Sequence, residues 1–210
     1  MARRKAIPKD SITGEYFGDF IQVALGESPL PLVLVFTAVL ENALMTLLSA
    51  FLIKSETTDN MFAPNGELES LSRCSRMAYC LGFISKSSFE NLTTIGRIRN
   101  LFAHKTKVMD FANSEVVELC KKLTLPPITL PEVMTTIDAK LGPAESHRSK
   151  FVEVCWCLIS YLLHAATMTE RRKLIDDSSV WDKVLETLTR GAGQFQAIVN
   201  RRTQEPQEQK

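Results

Sequence analysis

An all-α fold, a bundle of about five to seven helices, is what this sequence predicts. Three observations carry the prediction. Apolar residues recur at three- and four-residue spacing along most of the chain, as at Phe89, Leu92, Ile95, Phe102 and Ala103. No sustained alternating run and no hairpin turn pair suggests a strand. Hydrophobic residues make up 45% of the 210, which is ample for a core and excludes global disorder.

The elements follow in order. Residues 1–9 are a basic arm with Arg3, Arg4, Lys5 and Lys9, read as a flexible, solvated terminus. Asp10 or Ser11 caps a first helix bearing Ile12, Phe17, Phe20, Ile21 and Leu25, closed by Gly26. Pro29 and Pro31 start a long helix to about Ile53, apolar nearly all round, as befits the centre of a bundle. Lys54 to Gly66, with Pro64-Asn65-Gly66, reads as a loop. Glu67 to Leu81 is helical and stops at Gly82. Ser85 or Ser87, the latter with Glu90 in a capping box, begins the next helix, which ends near His104. Asn113 or Ser114 opens a short helix through Leu123. Thr124 to Pro143 is a proline-rich connector, and a long helix spans roughly Ser149 to Glu170. A last helix is capped by Ser178 or Ser179. This makes one helical domain over residues 10–202, with a core at 10–123, C-terminal helices at 145–202 and a disordered tail at 203–210.

Composition narrows the function. A net charge of +1 argues against a protein that coats nucleic acid nonspecifically, so any such contact must be a local patch. Cys74, Cys80, Cys120, Cys155 and Cys157 are scattered through helical stretches and read as reduced core thiols of a cytoplasmic protein. No signal peptide follows Met1-Ala2-Arg3-Arg4-Lys5. Leu30 to Ile53 is greasy enough to raise the question of a membrane span, but Glu41 at its middle would cost about 2.5–3.5 kcal/mol there. A buried core helix is the better reading. The sequence holds no phosphate-binding glycine loop, no cluster with metal-ligand spacing and no helix-turn-helix with a basic reading helix. No cofactor and no metal are expected, and His164 reads as a packed or surface histidine.

One stretch departs from packing logic. Arg99 falls inside the apolar stripe, four residues after Ile95 and three before Phe102, where a guanidinium needs a carboxylate or a phosphate. Asn100 and His104, four apart, share the next face, so Arg99, Asn100 and His104 form one polar corner. Glu41, among Leu34, Ala38, Met45 and Leu48, is a second out-of-place charge. It either pairs with Arg99 or a neighbouring basic residue, or stands at a helix margin.

Arg99-Asn100-Leu101-Phe102-Ala103-His104 resembles the Arg-polar-x-x-x-His signature of the HEPN superfamily, which includes many metal-independent ribonucleases. The wider stretch from about Leu34 to Leu123 resembles the mannitol operon repressor (MtlR) family. The matching runs are Leu68 to Arg73, Ala78 to Ser85, the Arg-Asn…Ala-His motif, Asp110-Phe111 and Glu118-Leu119-Cys120. The HEPN resemblance implies an endoribonuclease of the toxin or defence type. In it Arg99 would stabilise the transition state, His104 would transfer protons and Asn100 would position. It also implies a homodimer with the two motif helices meeting across a two-fold axis, RNA as substrate, and an antitoxin or regulatory protein partner. Thr106 stands where one subgroup has a tyrosine, so regulation through modification of that tyrosine does not carry over. The MtlR resemblance implies instead a non-enzymatic transcription regulator acting through protein partners; on a purely structural reading of the residues, Arg99 forms a core ion pair with Glu41 and His104 is a C-terminal cap.

Overall fold

The computed structural model describes residues 28–104, 109–125, 146–173 and 186. Among them the chain forms six helices and no strand: α1 Pro29–Phe51, α2 Glu56–Met61, α3 Leu71–Cys80, α4 Lys86–His104, α5 Ser114–Lys122 and α6 Ser146–Met168. The all-α prediction holds. The expected basic arm, first helix, most of the proline-rich connector, last helix and tail lie outside the described residues. The chain divides into residues 1–172 and 173–210, and all six helices belong to the first of these units.

Helix α1 is the axis of the core. Pro29 occupies its first turn, where a missing N–H costs nothing, and Ser28 precedes it in an extended conformation. Leu32, Val33, Phe36, Leu40, Leu44 and Leu48 are all buried, so the helix packs on several sides at once. Its main partner is α6, with α3 and α4 on its other flanks. Two of its hydroxyls are satisfied within the helix: Thr37 Oγ1 donates to the Val33 carbonyl at 2.7 Å and Thr46 Oγ1 to the Asn42 carbonyl at 2.8 Å. Both α1 and α6 are long and apolar enough to cross a membrane, and in each 56% of the apolar window is buried within the protein. Their apolar character is accounted for by packing against one another.

A file of aromatic rings links four parts of the core. Phe36 on α1 meets Phe151 on α6 edge-on at 6.4 Å. Phe151 meets Phe111 at 5.6 Å, and Phe111 meets Phe102 on α4 at 5.6 Å. Each such ring pair adds about 0.5–1.5 kcal/mol beyond the burial of its two side chains.

Between α1 and α3 the chain is more ordered than its composition suggests. Glu56–Met61 forms a short helix where a loop was expected, capped by Ser55, whose Oγ accepts from the Thr58 amide at 3.2 Å. Helix α3 then starts at Leu71, four residues later than predicted, while Leu68 stays buried ahead of it. It ends as predicted at Gly82, whose φ of 76° completes a Schellman turn. The Phe83 amide reaches the Ala78 carbonyl at 2.9 Å and the Gly82 amide reaches the Tyr79 carbonyl at 3.0 Å. Gly66 is a tighter constraint, since a Cβ there would stand 2.4 Å from the backbone oxygens of Asn60 and Met61. Gly66→Ala is therefore expected to cost about 1–2 kcal/mol and Gly82→Ala about 1, read as shifts in the urea midpoint. Equal midpoints for Gly66→Ala and wild type would contradict the crowding.

Helix α4 is capped by Ser85, whose Oγ accepts from the Ser88 amide at 3.1 Å. The alternative capping box of Ser87 and Glu90 does not form. Ser87 is drawn to Thr124 Oγ1 at 2.8 Å, and Glu90 faces Lys86 at 3.9 Å in solvent. Asn91, buried on α4, clasps the strip of chain after α5: its Nδ2 donates to the Thr124 carbonyl at 2.8 Å and its Oδ1 accepts from the Thr124 amide at 2.9 Å. Helix α5 opens at Asn113, whose Oδ1 accepts from the Glu115 amide at 3.0 Å, and ends on Lys121 and Lys122, where the helix dipole favours cations.

Candidate functional site

The polar corner sits where α4 outruns its neighbour. Tyr79, late in α3, stacks on Phe89, early in α4, with ring centres 4.9 Å apart. At the other end of α3, a Cβ on Gly96 would lie 3.7 Å from the Leu71 side chain. The two helices therefore run antiparallel, and α3 begins opposite Gly96. Helix α4 continues for eight more residues, about two turns. Its inner face stays covered: Ile98 is fully buried and Phe102 is held by Phe111. The flank that α3 would have covered does not.

This corrects the reading of Arg99. Its angle around the helix matches the apolar stripe, but it lies past the end of α3 and is exposed. It needs no buried carboxylate. Arg99 Nη1 donates instead to Asn100 Oδ1 at 3.2 Å. Asn100 and His104 are exposed as well, so the three predicted residues gather at the open C-terminal end of α4. Glu41 is half-buried on α1 near Cys74.

Two further exposed cations on α3 and α4 escaped the motif reading. Arg97 is exposed one residue beyond Gly96, and Arg76 is exposed on α3, its Nε donating to the Ser72 carbonyl at 3.3 Å. For Arg97 a signal was present: from Asn91 to Met109 the chain has no aspartate or glutamate. A planar guanidinium that is permanently charged and open to solvent can take carboxylate or phosphate oxygens in a forked pair. Among the described residues no group of three or more histidines, cysteines or carboxylates could hold a metal ion.

The thiols are inert by burial, with one exception. Cys74, Cys120, Cys155 and Cys157 are buried, whereas Cys80 is exposed, contrary to the expectation that all five lie in the core. Burial, helped by the nearby Glu41 carboxylate, pushes Cys74 up to about 12. Burial raises Cys120 to about 11 against the pull of Lys150, and it holds Cys155 well above the usual thiol range. A thiol that ionises later in the folded chain than in the unfolded one stabilises the fold fully below the unfolded pKa and loses that contribution as pH rises to the folded value. Stability should therefore decline from about pH 9 towards the values of about 11 and 12 at Cys120 and Cys74. A thiol-disulfide reagent at pH 8 should label Cys80 rapidly and the other four only in urea; fast labelling of Cys74 in the native protein would contradict the placement.

No family model matches this chain, and no curated protein matches it. Among solved structures, the chain is similar to MtlR in the X-ray structure of the MtlR–HPr complex from Escherichia coli, with 19% identity and a TM-score of 0.50. The superposition covers 69% of this chain and 99% of that one. The likeness is one of fold.

Proposed function

We propose that this chain is a non-enzymatic regulator of the MtlR kind that acts in the cytoplasm by docking a partner protein. The observation that carries this reading is the fold likeness, which takes in 99% of a chain solved in complex with HPr. The exposed setting of Arg99, Asn100 and His104 agrees with a surface that meets a partner. The test is calorimetric titration of the purified chain with Escherichia coli HPr. A saturable complex of defined stoichiometry is expected. Absence of heat and of co-elution at about 100 μM, a level at which even weak transient pairs form, would count against HPr as the partner.

A second reading keeps the motif catalytic: a metal-independent endoribonuclease working as a homodimer and restrained by an antitoxin. What favours it is that Arg99, Asn100 and His104 lie together and open at one helix end. Arg99 would stabilise the charge that builds on phosphorus, and His104 would move a proton to or from the ribose or leaving oxygens. Products would carry 2′,3′-cyclic phosphate and 5′-hydroxyl ends. RNA cleavage in EDTA, falling about 10²-fold or more in both Arg99→Ala and His104→Ala, is the result this reading requires. An inactive wild type on tRNA and total RNA removes it.

A further inference from the structure

We infer that the exposed apolar face on the first half of α1 is the seat of the chain's own N-terminal segment, residues 12–25, folded back on it as an amphipathic helix. The inference goes beyond the partner-docking reading and bears on it, because a face closed from within is not open to a partner.

The face is the first ground. Leu30, Leu34 and Val35 are 41%, 37% and 37% exposed, and Pro31 and Ala38 are exposed with them. At about 100° per residue these five side chains fall within an arc of about 140°, so they share one side of the helix over about two and a half turns. The face ends where the half-buried Glu41 and Asn42 follow on the same side. The rest of this half of α1 is covered: Leu32, Val33, Phe36 and Leu40 are buried. A contiguous apolar side of a core helix left open in this way calls for a cover.

The chain immediately before α1 supplies one. In residues 12–25, which lie outside the described residues, Phe17, Phe20, Ile21, Ala24 and Leu25 also fall within about 140° of arc at helical spacing, and Glu15, Asp19 and Gln22 fall opposite. Gly14 and Gly18 make this stretch too weak a helix former to hold alone, so it needs a surface to fold on. Only Gly26, Glu27 and Ser28 separate it from Pro29, the loop length of an αα-hairpin, which brings the segment back antiparallel along α1. A helix over residues 12–25 is about 21 Å long, enough to cover the roughly 12 Å from Leu30 to Ala38. Residues 1–27 belong to the same unit as α1, whereas residues 173–210 form the other, which favours this segment over the C-terminal one. A second copy of the chain is the weaker occupant. Five side chains on one helix side offer far less than the roughly 800 Å² per partner that a stable interface buries, and a tethered segment avoids the cost of association.

The experiment uses the full chain carrying Ala38→Cys, treated with a thiol reagent and followed by peptide mass spectrometry, with the exposed Cys80 as internal standard. The thiol introduced by Ala38→Cys should react about tenfold or more slower than Cys80, and adding Phe20→Ser/Ile21→Ser should bring it to within about twofold of Cys80. Dilution by about a hundredfold should leave the slow rate unchanged, because a tethered contact does not depend on concentration. Hydrogen exchange of the unsubstituted chain gives an independent readout: amides from Phe17 to Leu25 should exchange about tenfold or more slower than those of an unstructured peptide. The inference is overturned if the introduced thiol reacts as fast as Cys80 without the serine substitutions, if Phe20→Ser/Ile21→Ser leaves it protected, or if those amides exchange as in an unstructured chain. A rate that rises on dilution would assign the cover to a second copy and overturn it as well.

Discussion

Phe151→Ala should lower the stability of the fold by about 3–5 kcal/mol, near the upper end of what a single core substitution costs. Phe151 is fully buried on α6 and is the middle ring of the file from Phe36 to Phe111. Its loss removes two ring contacts and leaves a cavity whose walls belong to three separate segments, α1, α6 and the turn before α5. Such walls cannot close in together, so the cavity penalty adds to the lost burial. Since a domain of this kind is stable by only about 5–15 kcal/mol, a population of unfolded chain should appear at 37 °C. Urea unfolding followed by circular dichroism measures it. Phe151→Leu, which keeps most of the volume, should recover more than half of the loss. A loss below about 1 kcal/mol for the alanine variant would mean that the ring is not packed as described.

Asn91→Leu should cost about 2–4 kcal/mol, although it replaces a polar group with an apolar one at a site only 5% exposed. The reason is that the amide serves both backbone groups of Thr124 and accepts from its hydroxyl at 3.3 Å as well. No aliphatic side chain can replace those bonds, and the segment after α5 would have to seek water. Hydrogen exchange offers a sharper readout than stability alone. The Thr124 amide should exchange much faster in the variant while amides in the middle of α1 change only by the global loss. Uniform acceleration throughout would show that Asn91 acts by filling space.

Much of the fold is written in local patterns. The long helices α1, α4 and α6 were readable because their apolar spacing runs for several turns. Gly82 and Asn113 marked an end and a start because each answers a backbone requirement that few other residues meet. Helix α2 was not readable: it is six residues long, has no fully buried residue, and is polar like a loop. At α4, Ser85 and Ser87 were both plausible caps, and the choice depended on Thr124, 37 residues away from Ser87. The site followed the same logic. Periodicity gave the angle of Arg99 around its helix, but burial also depends on how far the neighbouring helix extends, and that is fixed by Leu71 meeting Gly96.

The pairing of α1 with α6 has a consequence for how the chain reaches this state. These two helices make the most extensive contact among the described elements, yet they stand at opposite ends of the bundle's sequence, with α2 to α5 between them. Local turns such as Ser85 and Asn113 can form in microseconds, whereas closing so long a loop is slow and must precede any gain from burying Phe36 against Phe151. During synthesis α1 emerges early with a broad apolar surface and waits for α6 to be made. At about 5–20 residues per second that interval lasts several seconds, during which the nascent chain is a substrate for chaperones and is most exposed to aggregation.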